Sequence, residues 1–160
     1  MQHWTGWLEA TRVATLVRDG RWLFPAIETL HIIGFAIVTG AAFVFDLRLL
    51  GFSQSISITA LARHVLPWAR RSFVVLVLPT GVLLFAVQAT ELAASGAFRL
   101  KLFLIALAVL NTFLFHGRTA KTIDAWDRDA MPPVAARLAG ASSLVLWIGA
   151  ITCGRWLAYF

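Results

Sequence analysis

Glu28 and His31 stand at a spacing that can do chemistry. Three positions apart, they share one face of a helix. The run around them is apolar enough to lie inside a membrane, where an ionisable side chain is costly and marks a functional site by default. Imidazole ligates iron and glycine leaves room for a porphyrin, so His31 with Gly34 one turn deeper has the makings of a haem site. Three roles are open to His31: a haem or metal ligand, a member of a proton relay, and a structural hydrogen-bonding group. Gly34 equally suits plain helix packing. Glu28 is expected to be buried and compensated. It can orient a ligating imidazole from behind, or pair with Arg155 at a similar depth near the end of the chain.

His64 and His116 fall at the opposite membrane boundary, where they can approach each other and hold a separate haem, or serve as ordinary interfacial histidines. His31 lies about 14 residues, or roughly 20 Å at helical rise, from that end of its span. One haem shared by His31 and His116 therefore strains the geometry. A second ligand for His31 has to come from His3 folding back, or from the His31 of a symmetric copy. Asp46, Arg48, Arg70 and Arg71 read as a rim of interfacial ion pairs, and Lys101 and Arg99 as side chains that snorkel outward. Thr80, Asn111, Ser142 and Ser143 read as interhelical hydrogen-bonding groups. A di-iron bundle needs two Glu-x-x-His motifs and two more glutamates, and no second motif occurs. One cysteine and two methionines offer few soft ligands for copper. No phosphate-binding loop, nucleophile elbow or paired-cysteine zinc pattern occurs.

The elements that must hold these residues are membrane helices. Of 160 residues, 59% are hydrophobic and 14% charged, and the mean hydropathy is +0.78. Soluble domains average roughly 45–50% apolar and 25% charged residues. So large an excess cannot be hidden inside a small soluble core. The pattern predicts an all-α fold: a four-helix transmembrane bundle with an N-terminal amphipathic interfacial helix, forming one membrane domain over residues 1–160. The interfacial helix is expected at 4–19 and the spans at about 22–45, 67–89, 98–115 and 134–156, each near the roughly 20 residues that cross a bilayer. Residues 52–66 read as a second interfacial helix, and Pro79 should disrupt the second span.

The net charge of +6 sits between apolar runs, which fits anionic head groups and excludes nucleic acid as the expected partner. Eight Lys and Arg flank the first and third loops against six on the other side, favouring periplasmic termini. The first residues lack the basic and apolar regions of a cleavable signal, so insertion is expected to rely on the first span. Twelve arginines against two lysines, with abundant alanine, suggest a GC-rich bacterial source and hence an inner membrane.

The strings Glu28-Thr29-Leu30-His31 with Gly34, Asp46-Leu47-Arg48-Leu49-Leu50-Gly51, Pro67-Trp68, Thr80-Gly81, Asn111 with Phe115-His116, and Gly154-Arg155-Trp156-Leu157-Ala158-Tyr159 recur together. As a set they resemble an uncharacterised family of small four-helix bacterial integral membrane proteins, over nearly the whole chain. In layout alone the chain is similar to copper-resistance D-type proteins and to haem-b membrane cytochromes. That likeness implies roles for His31 and His116, and least for His64. The function expected from these readings is electron transfer by a b-type haem protein, with a quinone or a periplasmic redox protein as partner. Two alternatives stand beside it: an accessory or scaffolding subunit of a larger membrane complex, and a proton- or ion-conducting transporter using Glu28, His31 and Arg155. A homo-oligomer, or a place in such a complex, is expected in each case.

Overall fold

The computed structural model describes residues 3–157, apart from the side chains of His3, Ala120 and Lys121. A fold-back of the His3 imidazole toward His31 thus lies outside the described residues. The order of elements is α1 (His3–Glu9), α2 (Arg12–Asp19), α3 (Leu23–Leu49), α4 (Ile58–Ser72), a π-turn (Phe73–Val77), α5 (Leu78–Val87), α6 (Ala89–Ala94), α7 (Gly96–Gly117), a 3-10 turn (Thr119–Ala125) and α8 (Val134–Trp156). The described residues contain no strand. Four helical stretches are long and apolar enough to cross a membrane: Leu23–Leu49, Ile58–Val87, Gly96–Gly117 and Val134–Trp156. Their outer faces are apolar, with Ile32, Val75, Phe113 and Val145 largely exposed, as lipid contact requires.

Three boundaries differ from the sequence expectation. The N-terminal amphipathic segment is two helices rather than one. Thr11 breaks it, its hydroxyl donating to Leu8 O at 2.7 Å while accepting from Ala14 N–H as the cap of α2. The pair lies against α5 and α6, where Glu9 Oε1 accepts from Thr90 N–H at 2.7 Å near the start of α6. The first span runs on to Leu49, so Asp46 and Arg48 belong to the helix. Residues 58–66 are the beginning of the second span and not a separate interfacial helix. Ser57 caps that start by accepting from Ala60 N–H, and Pro67 continues the helix. Its 30 residues extend about 45 Å, well beyond a hydrocarbon core of about 30 Å. One end must therefore project from the membrane. On the side of the first and third loops, that end packs Ile58 into a cluster with Phe45, Leu49, Phe115, Trp126 and Ala136. A second cluster of Val38, Val77, Ala108 and Trp147 fills the interior of the spans.

Arg48 ties the loop end together. Its side chain is 2% exposed and donates from Nε to Ile56 O at 2.7 Å and from Nη2 to Gln54 O and Asp127 O, both at 3.1 Å. Gln54 and Ile56 belong to the first loop and Asp127 to the third. Asp127 also accepts from Thr59 N–H at its Oδ1 and from Ile58 N–H at its carbonyl. The Ser57 hydroxyl, then the Thr59 N–H, holds the Asp127 carboxyl below the ordinary carboxylate range. A carboxyl depressed in this way contributes stability above that range and loses it as the pH falls through its folded value.

The expected rim of ion pairs is replaced by this clasp. Asp46 and Arg48 are two positions apart on one helix and so face different neighbours. Arg70 and Arg71 are exposed and make no ion pair among the described residues. Removing Arg48 takes a charged donor from three loop carbonyls and leaves Ile56 O without its donor, while Gln54 O and Asp127 O keep the N–H groups of Asp129 and Ile58; with the packing of the buried side chain also lost, the cost is on the order of 3–5 kcal/mol. Arg48→Ala is therefore expected to lower the melting temperature in detergent by on the order of 10 °C, while Arg128→Ala leaves it unchanged. A thermal melt of the two variants checks this.

Candidate functional site

Pro79 removes a backbone N–H from a membrane helix, where no water can satisfy the carbonyl left behind. The helix responds with the π-turn, whose Leu78 N–H reaches back to Phe73 O. Such turns occur often at functional sites. The Thr80 hydroxyl completes the local bonding by donating to Leu76 O at 2.5 Å, with Val77 O at 3.4 Å.

Helix α3 presses directly onto this turn. A Cβ at Gly34 would lie 2.8 Å from Leu76 Cβ and 3.2 Å from Val77 Cγ2, and the Ser72 hydroxyl donates to Gly34 O at 2.9 Å. Gly34 therefore makes room for the chain's own second span. It does not leave a slot for a porphyrin, as its place beside His31 had led us to expect.

His31 lies one turn before Gly34 and is half-buried. Its Nδ1 is 2.9 Å from Thr80 Oγ1. A hydroxyl has one hydrogen; with that hydrogen on Leu76 O, the nearer of its two backbone acceptors, Thr80 accepts from His31 and Nδ1 carries the proton. Nε2 is left with its lone pair. Gly81 admits the ring: a Cβ there would lie 3.1 Å from His31 Cε1.

Next to the imidazole is Phe35, stacked on it at 6.4 Å and meeting Trp147 edge-on at 5.7 Å. Lys101 comes from α7 to the same ring, its Nζ 5.6 Å from the Phe35 centroid and within cation–π range. Instead of snorkelling outward, Lys101 is half-buried. Gly154 on α8 supplies the space, since a Cβ there would stand 3.4 Å from Nζ, and the buried Cys153 is a further neighbour. The ammonium makes no hydrogen bond or ion pair among the described residues. Lys101 Nζ and the His31 imidazole thus both neighbour the Phe35 ring inside the bundle, and among the described residues no carboxylate pairs with either.

The remaining residues singled out from the sequence do not join this group. Glu28 shares the helix of His31 but is exposed on the outside of the bundle, with no hydrogen bond or ion pair among the described residues. The expectation that it is buried and compensated fails. Arg155 is exposed in the last turn of α8. His64 and His116 are exposed at the loop end, and His116 turns its Nδ1 to Thr112 O of its own helix at 2.9 Å. Asp46 is buried between α3 and α8 near Ser143, with Oδ2 unpartnered. Asn111 bridges helices as expected, donating to Ala139 O at 2.9 Å. Among the described residues no three His, Cys, Asp or Glu side chains converge on a point. Lys101 is the member of this group that sequence reasoning placed elsewhere, as a side chain snorkelling outward. The available signal was one of only two lysines in a chain with twelve arginines, with a glycine on the last span.

The contact at Gly34 can be tested against Gly40, where a Cβ would meet nothing within 4 Å. Gly34→Ala overpacks the π-turn and is expected to destabilise by about 1–3 kcal/mol. Gly40→Ala should be neutral or stabilise by up to about 1 kcal/mol through helix propensity. Equal melting temperatures for the two variants would contradict the packing described.

The model of a family of unknown function, DUF6644, matches residues 18–160. No curated protein and no solved structure matches the chain, so the layout likeness to copper-resistance D-type proteins and haem-b cytochromes gains no support. The matched segment holds all four apolar helices, the π-turn, His31 and Lys101. This helical, multi-pass chain belongs to the DUF6644 family.

Proposed function

We propose that the protein conducts protons through the membrane, with His31 and Lys101 as the groups that take up and release them. What supports this reading is a lysine with no ion pair among the described residues and an imidazole bonded to Thr80, both beside the Phe35 ring. A cation set among membrane helices is expensive, and ionisable groups kept in such places serve substrate or proton pathways. Lys101 is five residues into α7, about 7–8 Å from its start. The pair therefore sits in the outer part of the bundle on the side of the termini. There it can exchange protons with the boundary while the apolar cluster around Val38 and Trp147 blocks free leakage to the loop side.

In this reading Lys101 gives a proton from Nζ and His31 accepts it at Nε2. Thr80 is a positioning residue that keeps the accepting nitrogen unprotonated at the outset. Glu28, one turn nearer the boundary but facing outward, is not required; this departs from the relay of Glu28, His31 and Arg155 expected from the sequence.

Haem b is the second reading, favoured by one observation. Donation of the far N–H to a fixed acceptor is how ligating imidazoles are held, and His31 has that arrangement with Thr80. Bound haem would supply one-electron transfer. The fit is incomplete: the space beside Gly34 is filled by Leu76 and Val77, and the second ligand would have to come from another copy of the chain.

Purified protein in sealed vesicles, driven by a potassium diffusion potential and read with a trapped pH dye, tests the proposal. Wild-type protein is expected to speed proton flux over empty vesicles. Lys101→Met and His31→Phe should each cut that gain by at least about tenfold, on the scale of a lost acid–base group. Arg128→Ala should behave as wild type. Flux equal to that of empty vesicles, or undiminished in both variants, overturns the reading. A reduced-minus-oxidised haem band that vanishes in His31→Ala would put the haem reading in its place.

A further inference from the structure

A groove opens between the last turns of α7 and the first turns of α8, at the loop end of the bundle and far from His31. It encloses about 280 Å³. Phe115, 5% exposed, lies beneath it, and Leu114 and Leu138, both well exposed, form its lipid-facing rims. On α8 the wall is made of small side chains, Ala135, Ala139 and Ser142, at the three- and four-residue spacing of one helix face. Asn111, bonded to Ala139 O, ties the two helices together at the inner end. From Arg118 at the mouth to Asn111 inside is seven residues, about 10 Å along the helix. The groove thus leads from the interface into the hydrocarbon.

The mouth carries the charge. Arg118 is exposed, and its guanidinium makes no hydrogen bond or ion pair among the described residues. Thr119 stands next to it. A planar guanidinium with free N–H groups is matched to phosphate oxygens. The groove behind it carries polar surface from Asn111 and Ser142 as well as apolar surface from Leu114, Ala135 and Leu138, and it is open along its length, so it can take a flexible acyl chain.

We infer that this groove is a binding site for one anionic phospholipid, its phosphate on Arg118 and Thr119 and one acyl chain running past Leu114 and Leu138. The site is independent of the proton-conducting reading. A lipid seated there bridges α7 and α8 at the point where the third loop leaves the membrane, and so links that loop's stability to the lipid around it.

Native mass spectrometry of the full chain, released from detergent with either phosphatidylglycerol or phosphatidylcholine present, tests the inference. Wild-type protein should retain one phosphatidylglycerol at least several-fold better than phosphatidylcholine, and its melting temperature should rise with the former lipid. Arg118→Gln should lower retention of phosphatidylglycerol to the level of phosphatidylcholine. Ala135→Phe, which fills the trench and leaves the charge in place, should abolish both. Arg128→Gln removes an exposed arginine outside the groove and should retain phosphatidylglycerol as wild type does. Equal retention of the two lipids by wild type, or full retention by Arg118→Gln, overturns the site. Displacement of the lipid by millimolar glycerol phosphate would show a headgroup site without a chain groove and would equally overturn it. A dimer whose formation Ala135→Phe abolishes, with no lipid retained, would assign the groove to a second copy instead.

Discussion

A carbonyl inside a bilayer has no water to fall back on, and Pro79 leaves the second span one N–H short. The side of the bundle that carries the polar groups is organised around the answer to that shortage. The helix widens into a π-turn, and Thr80 spends its only hydroxyl hydrogen on Leu76 O. Thr80 can then only accept from His31, which sets the imidazole's tautomer. The same turn brings Leu76 and Val77 up against Gly34, so α3 is held at the distance the hydrogen bond needs. A proline-driven change in backbone bonding thus becomes a statement about which nitrogen of a histidine, 49 residues away in sequence, keeps its lone pair.

The two ends of the bundle divide the work. At the loop end Arg48 is spent on carbonyls, and the first and third loops are locked to α3 and to the projecting start of α4. Asp46, at the same end, is closed in between α3 and α8. At the terminal end aromatic and glycine surfaces surround a cation and a base. Rigid backbone bonding at one end and polarisable neighbours at the other suit a site that must change its protonation without unfolding.

Much of the fold was legible in the sequence because the hydrophobic effect writes it in long runs. The third and fourth spans were expected within two residues of where they lie, and His31 was identified as the histidine lodged inside a span. What failed did so for a common reason: a helical pattern tells which residues share a face, but not how that face is turned. Glu28 and His31 share a stripe, yet the stripe straddles the edge of the contact, leaving one outside and the other half-buried. Lys101 looked like a boundary residue until Gly154, 53 positions later, was seen to make space for it. Arg48 reads as part of an interfacial rim of ion pairs with Asp46, Arg70 and Arg71, whereas its partners are loop carbonyls, which no side-chain pattern can reveal. The start of the second span was misplaced because Pro67 looks like a helix start. It is tolerated inside the helix, and the true start is marked by Ser57 and Asp127 from two different loops.

The orientation of the His31 proton underlies both the proton-conducting reading and its haem rival, and it can be observed directly. Nitrogen-15 spectra of histidine-labelled protein in lipid, with His31 assigned by its loss in His31→Phe, report which ring nitrogen is protonated. The account predicts a His31 signal with the proton on Nδ1 and a bare Nε2, and predicts that Thr80→Val disperses it between the two tautomers. A His31 proton found on Nε2 in the wild-type protein, unaffected by Thr80→Val, would contradict it.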